Sequence, residues 1–292
     1  MSKSNRSRGM IVLSMAIFGT LAPFVRNISV SSAELALYRA LLALVLIGLV
    51  FVITGQKIHL RAHRRELPLL LVSGMAMGVN WILLFEAYRY TTVAVATLSY
   101  YFAPVLVTAI CPVLFKEKLT GKQIFCFVMS TVGLTLVIGV TELGKGSQDL
   151  IGVLFGLGAA VLYATVVLIN KLIKGIAGLQ RTFLQFVAAA VILIPYVLCT
   201  GGVTLGGMEA TGWICLLVVG VIHTGAAYVM YFSALKEVSG QEASILSYVD
   251  PLVAVLVSVT VLGESMTLPQ LLGGALILGF TLWNEIQPKQ KA

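Results

Sequence analysis

The segment F-E-A-Y-R-Y-T-T-V-A-V-A-T-L-S-Y-Y-F-A-P (Phe85–Pro104) returns in altered form, at an offset of 147, as F-S-A-L-K-E-V-S-G-Q-E-A-S-I-L-S-Y-V-D-P (Phe232–Pro251). At this offset ten positions align without a gap: Phe85/Phe232, Ala87/Ala234, Arg89/Lys236, Ala96/Ala243, Thr97/Ser244, Tyr101/Tyr248, Pro104/Pro251, Glu117/Glu264, Thr120/Thr267 and Gln123/Gln270. Because these matches form one long ungapped alignment, they indicate an internal duplication. The predicted halves are residues 1–146 and residues 147–292.

The composition is that of a membrane protein. Of the 292 residues 59% are hydrophobic and 11% are charged, whereas soluble domains contain about 25% charged residues. Ten spans of roughly 20 residues would use about 200 residues, which leaves no room for a soluble domain of ordinary size. Any function must therefore lie among the helices.

Apolar runs between charged or turn-rich breaks predict ten transmembrane helices. They are Met10–Val25, Ala33–Ile53, Pro68–Tyr88, Val93–Phe115, Gln123–Val140, Leu150–Leu172, Phe183–Cys199, Gly212–Ala234, Ala243–Leu262 and Leu268–Trp283. The fold predicted is therefore an all-α membrane protein.

The positive charges indicate the orientation of these spans. Sixteen of the 20 Lys and Arg residues fall in the termini and loops of one side, and three fall on the other: Arg26, Arg89 and Lys145. By the positive-inside rule the rich side is cytoplasmic, and it carries both termini. The net charge of +8 is thus a topology signal, and no nucleic-acid partner is predicted.

With five spans in each half, the second repeat must enter the membrane inverted relative to the first. A fainter match at an offset of 145, between Phe18-Gly19-Thr20 and Tyr163-Ala164-Thr165, extends the duplication to the first span of each half. Inverted repeats are typical of secondary transporters, because two interchangeable halves provide one state open to each side.

The repeated motifs also carry a family resemblance. F-E-A-Y-R-Y-T-T at Phe85–Thr92, A-T-L-S-Y-Y-F-A-P at Ala96–Pro104, F-K-E-K-L-T at Phe115–Thr120 and L-G-E-S-M-T at Leu262–Thr267 resemble the ten-span EamA type of the drug/metabolite transporter superfamily. The resemblance implies an export or exchange carrier in the cytoplasmic membrane, with a cavity lined mainly by the third, fourth, eighth and ninth spans. It implies small organic substrates, such as amino acids or nucleotide-linked metabolites.

Polar and aromatic side chains at mid-membrane are the predicted substrate-binding residues. Counting the helical rise along each span selects Asn80, Trp81, Tyr100, Tyr101, His223, Tyr228, Tyr248 and Asp250, together with Arg39 as a structural or substrate clamp. A charge at that depth costs at least about 2.5 kcal/mol, so these groups should face a cavity or each other.

Asp250 has two interpretations. It belongs to a face of small and polar residues at helical spacing, and Ala103 stands at the equivalent position of the first half. An acid present in one half only could bind an amino group, carry a proton, or do both. Alternatively, it satisfies backbone groups freed by Pro251, which lacks an amide hydrogen.

The other polar residues have comparable alternatives. His223 could change charge near neutral pH or could be a neutral core residue. Arg39 could hold a substrate carboxylate or clamp a structural partner such as Glu86. The aromatic rings could enclose a planar or cationic substrate, or they could simply pack.

Pro104 and Pro251 occupy matching depths, where each should kink its helix and suit a gate, although bends needed only for packing would look the same. Glu117 and Glu264 follow their spans at corresponding ends and are predicted to cap helices or to lie in loops. The H-x-x-x-H of His59 and His63 lies in an arginine-rich loop. It is interpreted as topology charge, so neither a metal nor a cofactor is predicted.

The sequence favours a secondary transporter for amino acids or related amines over two alternatives. An intramembrane enzyme acting on lipid would need a nucleophile with a base or a metal cluster, and the sequence has no G-x-S-x-G or H-E-x-x-H motif. A channel is disfavoured by the inverted repeat and by the lack of a filter-like loop. Proton coupling is an open possibility.

The orientation can be tested with reporters. Fusions after Lys289 and within the Gln56–Arg65 loop should report the cytoplasm, and a tag near Gly146 should report the outside. Measuring paired phosphatase and fluorescent-protein fusions would decide it. A cytoplasmic signal at Gly146 would contradict the ten-span interpretation.

Overall fold

The computed structural model describes residues 3–56, 64–115, 120–138, 148–235, 237–238 and 240–286. His59, His63, Glu117 and the predicted boundary between the repeats lie outside the described residues. The α-helices are α1 (Lys3–Gly19), α2 (Leu21–Arg26), α3 (Ser32–Thr54), α4 (Leu67–Tyr90), α5 (Val93–Tyr100), α6 (Ala103–Phe115), α7 (Gly121–Ile138), α8 (Gln148–Leu172), α9 (Gly178–Thr200), α10 (Ala210–Leu217), α11 (Ala227–Ala234), α12 (Gly240–Ser247), α13 (Val249–Thr260) and α14 (Leu268–Glu285). A π-helical segment, Val218–Ala226, joins α10 to α11, and Leu205–Gly207 forms one 3₁₀ turn.

Eight helical stretches of the described chain are long and apolar enough to cross a membrane. They are Asn5–Arg26, Ser32–Thr54, Leu67–Tyr90, Val93–Cys111, Gly121–Ile138, Gln148–Leu172, Gly178–Thr200 and Ala210–Ala234. A further apolar helix, Ile245–Thr260, is shorter, and α14 follows where the tenth span is predicted. The predicted all-helical membrane fold is confirmed, while the count of ten spans stays a prediction.

Helix bounds in the two halves match at the offset found in the sequence. Helix α12 begins and ends at the repeat equivalents of the bounds of α5, and α14 begins and ends at the repeat equivalents of the bounds of α7. The same cap begins α7 and α14: the Gln123 side-chain carbonyl accepts from the Thr120 amide at 2.8 Å, and the Gln270 side-chain carbonyl accepts from the Thr267 amide at 2.9 Å. The repeated sequence thus specifies repeated helix starts.

Helix packing follows the same correspondence. Helix α4 packs on α8 and α9, and the stretch Ala210–Ala234 packs on α1 and α3. Helices α5 and α6 contact α8, just as α12 and α13 contact α1. Small residues allow the close approaches: Gly78 lies against Ala189 of α9, and its repeat equivalent Gly225 lies against Leu46 of α3.

Three spans are interrupted just before a proline. The break at Thr20 precedes Pro23, the break after Tyr100 precedes Pro104, and the break at Tyr248 precedes Pro251. A proline lacks the amide hydrogen that would bond to the carbonyl four residues earlier, and the helix ends there. The helix breaks lie beside Pro104 and Pro251, where kinks are predicted. The first helix begins at Lys3 rather than at Met10, because polar residues can extend a helix beyond the lipid.

Helices α7 and α14 meet through glycine. A Cβ atom added to Gly273 would collide with the Gly133 carbonyl oxygen, and one added to Gly133 would lie 2.7 Å from the Gly273 oxygen. The two backbones are therefore in direct contact, an arrangement that small residues permit between membrane helices.

This contact predicts the effect of a single methyl group. Gly273→Ala should destabilise the protein by about 1–3 kcal/mol, because the helices must separate to admit the side chain. Gly279→Ala in the same helix is the control, since an added Cβ there meets nothing within 4 Å. Melting temperatures in detergent would measure both, and equal values would contradict the packing described.

Candidate functional site

A central cavity of about 340 Å³ lies among the helices of both halves. Seven of the ten tyrosines of the chain line it, together with Trp81 and Phe18. Its formally charged lining residues in the described chain are Arg39, Asp250 and Glu285. The cavity combines aromatic walls with a few charges, which is typical of sites for small organic molecules.

The lining repeats at the offsets of the duplication. Both members of each of the following pairs line the cavity: Trp81/Tyr228, Leu84/Tyr231, Tyr100/Ser247, Tyr101/Tyr248, Ala103/Asp250 and Val107/Ala254 at the main offset, and Phe18/Tyr163 and Ala22/Val167 at the offset of the first span. The cavity is thus built from equivalent positions of the two halves. Its chemistry is unequal, because Ala103 stands opposite Asp250.

Asp250 occupies the first turn of α13 and faces the cavity. Its carboxylate accepts a hydrogen bond from the Tyr101 hydroxyl at 2.5 Å, which joins the broken span of one half to that of the other. The backbone here is closely packed, since a Cβ on Gly19 of α1 would lie 2.6 Å from the Asp250 carbonyl oxygen. The carboxylate bonds to Tyr101 across the two halves rather than to the backbone freed by Pro251.

Arg39 lies in α3, is 4% exposed and reaches the cavity. Its guanidinium carbon lies 4.5 Å from the ring centre of Trp81 and 5.3 Å from that of Phe85, and its Nε donates to the Thr224 hydroxyl at 3.1 Å. Among the described residues no carboxylate lies within ion-pair distance of it. Aromatic faces and one hydroxyl hold the cation.

The aromatic walls are supported from behind by Phe186, which is fully buried in α9. Its ring lies 5.2 Å from that of Trp81 and 5.4 Å from that of Tyr228, both in edge-on geometry. These two cavity residues are equivalent positions of the repeat, so one ring supports both walls. On the other side Tyr100 packs against Tyr163 at 5.3 Å.

Asn80 is not among the residues that line the cavity. It is 2% exposed, and its amide donates to the Ala159 carbonyl of α8 at 2.6 Å. In this structure it ties α4 to α8. Asn80 precedes Trp81, and neighbouring residues point about 100° apart around a helix, so similar depth does not give the same face.

His223 also lies outside the cavity lining. Its Nε2 lies 3.1 Å from the Thr20 hydroxyl and its Nδ1 lies 3.2 Å from the Val218 carbonyl, while its ring packs on Phe24. Both ring nitrogens are engaged, so the geometry here is that of a buried hydrogen-bonding residue. The widened turn of the π-helical segment provides the carbonyl five residues back.

The remaining predicted residues fall into two groups, those that line the cavity and those that do not. Pro104 lines the cavity, whereas Pro251 is buried in α13 beside Asp250. Glu86 does not line it, and its carboxylate pairs with Arg89 at 3.2 Å rather than with Arg39. Trp81, Tyr100, Tyr101, Tyr228 and Tyr248 all line the cavity with Asp250.

The tyrosine and acidic lining residues that depth did not select are Tyr88, Tyr163, Tyr231 and Glu285. Tyr163 is the repeat equivalent of Phe18 and Tyr231 that of Leu84, and both of these equivalents also line the cavity. Tyr88 and Glu285 lie near helix ends, beyond the midplane window.

Membrane-crossing helices around one aromatic cavity with single buried charges form the architecture of a membrane transport protein. The chain belongs to the EamA-like transporter family, whose model matches residues 8–139 and 150–284. These two segments cover nearly all of both halves. Transport is therefore the function of the family to which the chain belongs, and the predicted resemblance is confirmed.

Similar proteins span the full length. The chain is 29% identical to the uncharacterized transporter YxxF of Bacillus subtilis over all of this chain and 94% of that protein. It is 30% identical to an uncharacterized transporter of Archaeoglobus fulgidus, over 94% and 95% of the two chains. It is 26% identical to the uncharacterized inner membrane transporter YicL of Salmonella typhimurium, over 94% and 92%. A crystal structure with 16% identity shares the fold, with a TM-score of 0.65 over 94% of this chain and 96% of that chain.

The structural role of Asn80 can be tested by truncation. Asn80→Ala should lower stability by about 1–3 kcal/mol, because it removes a buried hydrogen bond between two helices. Asn27→Ala is the matched control, since its amide donates to the Pro23 carbonyl at 2.7 Å but is exposed and local. If thermal unfolding of the two variants were indistinguishable, Asn80 would not be a helix clamp.

Proposed function

We propose that the protein is a secondary transporter that exports or exchanges small organic metabolites of the amino-acid or related amine class across the cytoplasmic membrane. The observation that carries the proposal is the central cavity, where Asp250 provides a negative group and Arg39 a positive group within aromatic walls, with Glu285 as the third charged lining residue of the described chain. This combination of groups suits a zwitterion with an apolar part. The volume of about 340 Å³ falls at the small end of the range for ligand sites.

The proposed mechanism is alternating access between two inverted five-helix repeats, with both termini in the cytoplasm. Matching helix bounds, matching packing partners and equivalent cavity positions support it. In such a carrier the two halves rock about a site near the midplane. The breaks at Tyr101 and Tyr248 provide bends at equivalent points, where Pro104 and Pro251 would act in gating.

Asp250 is the proposed contact for the substrate amino group or for a coupled proton. Its hydrogen bond from Tyr101 crosses between the halves at 2.5 Å, so a cation or proton that takes this carboxylate also changes a contact between them. Arg39 is the proposed contact for the carboxylate, since its guanidinium stacks on Trp81 at 4.5 Å and keeps a planar fork of donors.

Counterflow in proteoliposomes tests the proposal. Purified protein would be reconstituted with excess unlabelled amino acids or amines inside, and uptake of isotopically labelled compounds would be followed. Saturable counterflow of at least one zwitterion or amine is expected. A linear, unsaturable flux would indicate a channel, and no flux of any member of these classes would overturn the substrate assignment.

Asp250→Asn should lower this counterflow roughly tenfold or more, because a hydrogen bond to a charged group contributes about 1.5–3 kcal/mol. The amide keeps the shape of the side chain, so folding in detergent should be unchanged. Glu209→Gln is the control, because Glu209 is exposed at the start of α10 and its side chain makes no cap hydrogen bond. Normal counterflow by the Asp250 variant from pH 5 to 8 would contradict a role in binding the substrate amino group.

A further inference from the structure

A second cavity of about 340 Å³ lies at the end of the bundle where α2 and α4 finish and α3 begins. We call it the vestibule. Arg26, Ser29, Ser32 and Arg89 contribute its polar lining. Tyr88 lines both the vestibule and the central cavity. The two spaces therefore meet at one aromatic side chain.

A network beside the vestibule joins the two halves. Glu264 follows α13, its side chain is 9% exposed, and its carboxylate pairs with Arg26 of α2. The same carboxylate accepts from the Val93 amide at 2.8 Å and from the Ser258 hydroxyl. We call these contacts the Glu264 network.

The network fixes the first turn of α5. The Val93 amide is one of the helix-start donors that lack an intrahelical partner, and the Ala94 amide donates to the Ser258 hydroxyl at 3.3 Å. Both are satisfied by side chains of the other half. Helix α5 then carries Thr97 and Tyr100 into the central cavity, so the network and the cavity share one rigid element.

We propose that the vestibule is the outer part of the transport route, that Tyr88 separates it from the central cavity, and that the Glu264 network is the lock that holds this end closed. The proposal rests on the proposed transport function for its direction and on these contacts for its residues. Opening the route at this end requires α5 to move away from α13, which breaks the bonds of Val93 and Ala94. The ion pair with Arg26 must break as α2 separates from the loop after α13.

A second ion pair at the same end provides a matched control. Arg89 also lines the vestibule, but its partner Glu86 lies in the same helix, three positions earlier. The Arg89 side chain is 60% exposed, against 35% for Arg26. Breaking this pair removes a similar ion pair, but one that lies within α4 and does not join two separate segments of the chain.

The lock can be tested by accessibility, without any substrate. Thr97→Cys places a thiol in the central cavity and Ser29→Cys places one in the vestibule, each in a background with the four native cysteines replaced. A membrane-impermeant thiol reagent is added outside intact cells, and the labelling rate is measured. The thiol at position 29 should label readily in every variant, and the thiol at position 97 should label slowly while the lock is intact.

Glu264→Gln and Arg26→Gln should each accelerate labelling at position 97 roughly three- to tenfold, the range expected for loss of one partly buried ion pair. Arg89→Gln should leave the rate unchanged. Arg26→Gln is the second variant because it keeps the bonds of Glu264 to Val93 and Ser258. After labelling, each variant is extracted in detergent, and only the protein that elutes as a folded species on gel filtration is compared.

Three results would overturn the proposal: no labelling at position 29 from outside, equal rates at position 97 in all variants, or an equal acceleration by Arg89→Gln. The first would show that the vestibule does not face outside. Equal rates in all variants would show that the Glu264 network does not control access to the central cavity. An equal acceleration by Arg89→Gln would show that the loss of any charge at this end raises accessibility. The labelling experiment needs no substrate. If labelling gave the expected pattern but amino acids and amines showed no counterflow, the lock would be supported and only the proposed substrate class would be rejected.

Discussion

Within a bilayer a backbone amide or carbonyl without a partner costs several kcal/mol, so a membrane helix can be interrupted only where protein or a cavity compensates. The breaks of this chain obey that constraint. Thr20, Tyr101 and Tyr248 end helical segments around one central space, and each break lies just before a proline. At Thr20 the side chain bonds back to the Ile17 carbonyl at 2.8 Å. The interruptions in backbone hydrogen bonding therefore lie around the same cavity that accommodates the polar side chains.

The duplication determines the shape of the cavity, and single substitutions determine its chemistry. Equivalent positions provide Trp81 and Tyr228 as facing aromatic walls, supported by the same Phe186 ring. Asp250 has no acidic counterpart, because Ala103 occupies that place. In the proposed function, a symmetric frame suits a movement that treats the two sides of the membrane alike, and the unequal charges of the cavity suit a ligand whose two ends differ.

Sequence patterns predicted most of the frame and part of the site. Apolar runs located the helices, and the repeat offset anticipated the matching bounds of α5 with α12 and of α7 with α14. Depth alone could not separate Asn80 from Trp81, because it ignores the direction of a side chain around the helix. His223 also lies outside the cavity lining, and the π-helical turn that engages it leaves no simple periodic signal. Contacts made by loop residues such as Glu264 depend on tertiary approach, which no local pattern encodes.

Equivalent residues of the two repeats form contacts in two different places of the helical bundle. Arg26 and Ser258 contact Glu264 at one end. Their repeat equivalents are Lys171 and Cys111, and there the Lys171 ammonium donates to the Cys111 sulfur at 3.3 Å. In an inverted arrangement these two clusters would lie at opposite faces of the membrane. The equivalent of Glu264 is Glu117, which lies outside the described residues, so the two clusters are compared only at Ser258 and Cys111. A thiol is a weaker acceptor than a hydroxyl, so these two equivalent positions differ in bonding strength. In the proposed alternating-access mechanism, differences between equivalent contacts would bias which side is closed at rest.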